Sequence, residues 1–168
     1  MTCPCQKVGL EFFESAPTLH RATVEIAASP DQIFGVLLDG DAWARWAMPI
    51  TAVDWTSGFP IVVGSKRTVY MRGGLVGYEE FIAYEHGARM AFRFNDASKK
   101  GIEAFAEDYR VVDLGSGRCR VDWTMAMSTG RDSGLADKII GPVMSFMLQR
   151  MLKKFGRLVE STPLVEAN

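Results

Sequence analysis

Polar and apolar positions alternate from the start of Arg21-Ala22-Thr23-Val24-Glu25-Ile26, the mark of a strand with one buried face. The period then changes. Ser29-Pro30-Asp31-Gln32 reads as a helix start, with Ser29 as cap, Pro30 at the first helical position and Gln32 closing a capping box. Ile33, Phe34, Leu37 and Leu38 supply its apolar side, and Asp39-Gly40 ends it. A second short helix holds Trp43 and Trp46, three apart and so on one face, until Pro49 stops it.

Six strand-like runs follow: Ile50–Trp55, Ser65–Arg72, Leu75–Glu85, Arg89–Asn95, Ile102–Val112 and Cys119–Met127. Gly73-Gly74, His86-Gly87, the polar loop from Asp96 to Gly101, and Gly115-Ser116-Gly117 separate them. Such short connections imply hairpins and an antiparallel meander. From about Ser133 to Glu160 the period is helical. Ile140, Met144, Met147, Met151, Phe155 and Leu158 form one stripe, with Lys138, Gln149 and Lys153 opposite, and Gly141-Pro142 predicts a kink or restart. The order strand, two short helices, six strands, long helix makes the class α+β. Residues 1–18 read as a lead-in segment that Phe12 and Phe13 dock on the domain. Residues 19–161 are the domain, and 162–168 a tail.

The hairpin Ser65–Glu85 carries the most chemistry. With Gly73-Gly74 as a two-residue turn, Arg67 falls opposite Glu80. One face then holds Arg67, Val69, Met71, Val76, Tyr78, Glu80, Ile82 and Tyr84, and its apolar character makes it the buried one. Two charges on that face must pair or be wetted. They are either a structural ion pair or the polar groups of a partly hydrated cavity. Met90, Phe92 and Phe94 share a face of the next strand. Val121, Trp123, Met125 and Met127 share a face of the last, whereas Ile102–Val112 is mixed on both faces and gives no direction. The expected binding set is Arg67, Val69, Met71, Tyr78, Glu80, Ile82, Tyr84, Met90, Phe92, Phe94, Trp123, Met125, Met144, Met147 and Met151.

Composition narrows the partners. The 168 residues are 48% hydrophobic and 23% charged, with a formal net charge of −1. No field of one sign gathers nucleic acid or an anionic membrane. No apolar run approaches the roughly 20 residues that span a bilayer, and no secretory signal opens the chain, so stable membrane insertion is not expected and a cytoplasmic location is. Cys3, Cys5 and Cys119 make neither a disulfide framework nor a paired zinc pattern. Cys3 and Cys5 read as thiols on a frayed tail, and no metal or other cofactor is expected. His20 and His86 both read as surface residues.

Val24-Glu25-Ile26-Ala27-Ala28-Ser29-Pro30-Asp31-Gln32-Ile33-Phe34, the Trp43–Trp46 pair, Gly64 followed by Arg67, Glu80 beyond a glycine turn, Gly117 to Trp123 and the C-terminal helix resemble the START/Bet v 1-like (SRPBCC) superfamily. The likeness is to its polyketide cyclase/dehydrase and lipid-transport branch and covers about residues 20 to 160. It implies a helix-grip fold, a seven-stranded antiparallel sheet curled around the C-terminal helix, with ligands held between them. Three functional classes stay open. Carriage or sensing of a hydrophobic small molecule needs only the cavity. A cyclase or dehydratase would use Arg67 to stabilise an enolate, Glu80 to move a proton and Tyr78 or Tyr84 to orient, with no metal or nucleotide. A protein-interaction module would show an apolar exterior, for which Tyr70, Leu75 and Phe81 are the candidates. Ligand identity and oligomeric state are not legible in the sequence.

Overall fold

The computed structural model describes residues 2–130 and 134–163, with side chains described outside 131–140. Ser133, the side chains of Lys138 and Ile140, and the tail beyond 163 lie outside the described residues. The chain runs β1 (Cys3–Pro4), α1 (Phe12–Ser15), β2 (Thr18–Ile26), α2 (Pro30–Leu38), α3 (Gly40–Trp46), β3 (Ile50–Trp55), β4 (Lys66–Met71), β5 (Val76–Glu85), β6 (Arg89–Ala97), β7 (Ala104–Gly115), β8 (Arg118–Ser128) and α4 (Gly134–Ser161). Seven strands follow the antiparallel path β2-β8-β7-β6-β5-β4-β3, and the short β1 pairs with β6. The sheet curls around α4, so the architecture is α+β and helix-grip.

Local chemistry explains the helices. Ser29 accepts from the Gln32 amide, Gln32 returns the bond to the Ser29 amide, and Pro30 opens α2. Asp39 ends α2 and its carboxylate caps α3 through the Asp41 amide. Two carbonyls at the end of α2, which have no partner within the helix, accept from indoles: Leu37 from Trp43 at 2.9 Å and Leu38 from Trp55 at 3.0 Å. α4 runs through Pro142 without a break. It buries Leu148, Met151, Leu152, Phe155 and Val159. Gln149, which the helical period puts on the far side, instead bonds both backbone groups of Thr23, and Glu160 accepts from the Ala27 amide. These side chains occupy backbone groups of the edge strand β2 and blunt its tendency to pair with another chain. His20 is likewise buried, its Nδ1 3.1 Å from Ser145 Oγ of α4, and so is not a surface residue.

The N-terminal segment is not a frayed tail. β1 pairs with β6 at Cys3↔Ala97, and the Cys5 and Gln6 amides donate to Asn95 and Glu103, filling the gap where β6 and β7 part. Cys5 is buried, and burial raises its thiol pKa further above the ordinary value. Phe12, Phe13 and Ala16 pack on the outer face of the sheet against Ala91, Ala104, Ala106 and Ala126. Four alanines leave the outer face shallow enough for α1 to lie on it. The outer face of β6, β7 and β8 is therefore covered around these alanines.

Phe13→Ala should destabilise the whole domain by about 3 kcal/mol, the lower end of the range for a buried aromatic. Urea unfolding should detect this, together with faster thiol labelling of Cys5. An unchanged midpoint would mean that the segment is not part of the cooperative unit.

Candidate functional site

The β4–β5 turn sets which side chains face inward. The Met71 amide donates to Leu75 C=O at 2.8 Å, so the loop is the three residues Arg72, Gly73 and Gly74, both glycines having positive φ. A loop of three rather than two shifts the pairing by one residue and exchanges the faces of β5. Arg67 stands opposite Glu79, not Glu80. Glu79 and Phe81 point inward, and Tyr78 and Glu80 outward. The pairing with β6 then skips from Phe81↔Phe92 to Ala83↔Ala91, so Ile82 is an extra residue on the outer face and Tyr84 turns inward again.

Tyr78, Glu80 and Ile82 therefore leave the expected binding set. Glu80 accepts from Asn95 at 2.6 Å and Arg93 at 3.2 Å, and Arg93 also donates to Val8 C=O. The Asn95 bond, aided by Arg93, holds the Glu80 carboxyl below the usual range. It is a clasp for the N-terminal segment. Phe81 is wholly buried and Leu75 lines the interior, so of the three exterior candidates only Tyr70 is exposed.

Inside, Arg67 is 1% exposed and its Nε donates to Glu79 Oε2 at 2.5 Å. Its guanidinium lies 4.3 Å from the Trp43 ring centre and 4.3 Å from that of Phe92, with Trp55 and Phe81 beyond. Nη1 and Nη2 have no hydrogen-bond partner. Burial pushes the Glu79 carboxyl up despite the opposing pull of Arg67.

A cavity of about 210 Å³ lies between the sheet and α4. Its walls come from α3 (Trp43, Trp46), the rim (Pro49, Ile50, Leu75), the strands (Phe94, Phe105, Trp123) and five methionines, Met71, Met125, Met127, Met144 and Met151. Of the expected binding residues, Met71, Phe94, Trp123, Met125, Met144 and Met151 line it. Arg67, Val69, Met90 and Phe92 are buried beside it in the core, Tyr84 packs on Phe34 and Phe81, and Met147 is half-buried on α4 outside the lining.

Two polar lining residues fall outside the expected set, Glu107 and Tyr109 of β7. The Tyr109 hydroxyl donates to Glu107 Oε2 at 2.9 Å. Tyr109 stacks on Trp123 with ring centres 5.3 Å apart. The Trp123 indole approaches the same carboxyl without reaching hydrogen-bond geometry, and its Nε1 is buried without a partner. Burial, and then the nearby Glu79 charge, push Glu107 up to about 8. At neutral pH it is a carboxylic acid. Tyr109 is raised as well, by burial and then by Glu107. Among the described residues, no cluster of three or more His, Cys, Asp or Glu is arranged to hold a metal ion. No helix among them is long and apolar enough to cross a membrane.

This architecture, a curled sheet gripping a C-terminal helix, is shared with known proteins. The model of the polyketide cyclase/dehydrase and lipid transport family matches residues 19–160. The chain belongs to that family. An uncharacterized protein of Mycobacterium tuberculosis is 48% identical over 158 residues, 94% of either chain. Among solved structures, a hypothetical protein of Helicobacter pylori aligns with TM-score 0.72 at 14% identity, over 95% of this chain and 98% of that one. A START superfamily protein from Mycobacterium smegmatis aligns with TM-score 0.63 at 14% identity, over 84% and 94%. At that identity the family's fold is common ground.

Two outcomes test the site's electrostatics. Arg67→Met should cost about 3–5 kcal/mol by stranding Glu79, and adding Glu79→Met should recover much of the loss; denaturant unfolding of the double-mutant cycle measures both. Glu107 should make stability fall as pH rises. The folded state keeps this proton up to about pH 8, while the unfolded chain releases it near 4.5. Between those values the unfolded state binds fewer protons, so the contribution, full below about 4.5, is lost progressively and is flat above about 8, at roughly 1.4 kcal/mol per pH unit at most. Thermal unfolding of Glu107→Gln should show a much flatter profile over that window.

Proposed function

We propose that the protein binds and carries a hydrophobic small molecule in the cavity between the sheet and α4. The observation that carries this reading is a space of about 210 Å³ whose walls are apolar except at Glu107 and Tyr109. A cavity of about 150 Å³ already accommodates benzene, so the volume suits a compact aromatic molecule or a short branched chain. Methionine side chains bend and polarise readily, which suits a wall that adapts to an irregular guest. Membership of a family described by lipid transport and by polyketide cyclisation and dehydration supports a ligand of that character.

A second reading, turnover of the bound molecule, is favoured by one observation. Glu107 lies at the cavity wall, hydrogen-bonded to Tyr109, and burial raises its carboxyl to about 8, so that it could give a proton to a bound molecule. In that reading Glu107 replaces Glu80, which lies on the opposite face of the sheet, and Arg67 acts only by shaping the local field.

Native mass spectrometry of freshly purified protein should detect a non-covalent mass of lipid-like or aromatic composition. Met144→Trp, at the half-buried edge of the cavity, should abolish it while circular dichroism stays unchanged. Retention of the same ligand by a folded Met144→Trp protein would move the binding site elsewhere.

A further inference from the structure

The cavity has a chemically distinct end, and its donors outnumber its acceptors. The Tyr109 hydroxyl is already used on Glu107 Oε2. With that bond made, the protonated carboxyl of Glu107 has its own O–H to give. One more donor sits on a residue of the same wall, the indole N–H of Trp46, buried and without a hydrogen-bond partner, whereas the Trp123 indole is directed at the Glu107 carboxyl. Buried donors without partners are rare, and each calls for an acceptor. The groups that set the charge here can be named element by element. β4 contributes Arg67 and β5 contributes Glu79, bound to each other; β7 contributes Glu107 and Tyr109; β8 contributes Trp123. Among the described residues of α3 and α4 the cavity meets uncharged side chains, Trp43, Trp46, Met144, Leu148 and Met151. Arg67 is already engaged by Glu79, and an anionic guest would bring a further charge into an apolar space.

We propose that Glu107 and Tyr109 form the polar end of the cavity, and that this end takes an uncharged hydrogen-bond-accepting oxygen, a ketone in chemical class, and turns away carboxylates. The inference rests on the cavity being the binding site. Glu107 is the residue that sets the preference, because ionisation turns it from a donor into a group that only accepts. Once it ionises, a ketone oxygen would face a carboxylate, and the preference disappears.

The test uses three probes of similar size, naphthalene, methyl naphthyl ketone and naphthoate, titrated into the full chain at about pH 6 and about pH 9.5, either side of the Glu107 transition. Quenching of tryptophan fluorescence follows binding, since Trp43, Trp46 and Trp123 line the cavity. At the lower pH the ketone should bind about tenfold more tightly than either naphthalene or naphthoate, the effect of about one good hydrogen bond. At the higher pH its advantage over naphthalene should vanish. Glu107→Gln, whose amide still donates, should keep the advantage at both pH values. Glu107→Leu should lose it at both while still binding naphthalene. Naphthalene binding together with equal affinity for naphthoate and ketone, or with a ketone preference that survives Glu107→Leu, would overturn the polar end and leave the cavity reading intact. Failure of all three probes to bind would overturn the cavity reading and this inference with it. The pH series needs only the unaltered protein, so a ketone advantage that persists at pH 9.5 would overturn the role of Glu107 even if a variant does not fold.

Discussion

One guanidinium buried among aromatic rings, with two carboxyl groups within its field, constrains the interior. An apolar core tolerates a charge only when it is matched, and Arg67 matches one carboxylate but not two. Glu79 holds the bond to Arg67, so the proton stays on Glu107. The cation also depends on its box. Trp43 is held by the Leu37 carbonyl and Trp55 by that of Leu38. The end of α2 therefore fixes two of the rings around Arg67.

Much of this architecture is legible in the chain. The Ser29–Gln32 box, the Trp43–Trp46 face and the strand alternation in Arg89–Asn95 and Cys119–Met127 each follow from local chemistry, and the structure realises them. The faces of the β4–β5 hairpin are not legible to the same degree. Gly73-Gly74 satisfies a two-residue turn as well as a three-residue one, and strand parity turns that single residue into Glu79 instead of Glu80. Tyr84 reaches the expected inner face only because two differences compensate, the turn and the extra residue at Ile82.

Glu107 escapes detection for a different reason. Strand alternation reveals a face only when the other face is wet. On β7 the inner positions Phe105, Glu107, Tyr109 and Val111 alternate with Ala104, Ala106 and Asp108, which are also buried, because α1 covers part of the outer face and Arg89 and Arg110 bind Asp108. The run therefore reads as mixed. The outer-face alanines are the available signal. Small residues on alternate positions, together with two phenylalanines in the preceding segment, imply a close-packed cover on that side, and a covered outer face returns Glu107 to the interior.

In the proposed binding mode the two ends of the cavity would divide the work of recognition. Walls of methionine and aromatic side chains adapt their shape at little cost, so they reward apolar area and discriminate poorly between guests of similar size. Discrimination then falls to groups that cannot rearrange. Glu107 and Tyr109 sit on a strand whose outer face is partly covered, hydrogen-bonded to each other, with Tyr109 stacked on Trp123, so the polar end is fixed while the opposite wall is compliant. A guest that meets the fixed end with the wrong charge cannot be accommodated by shifting a methionine. Under that proposal selectivity follows the protonation state of one carboxyl, which burial, and then the neighbouring Glu79 charge, set.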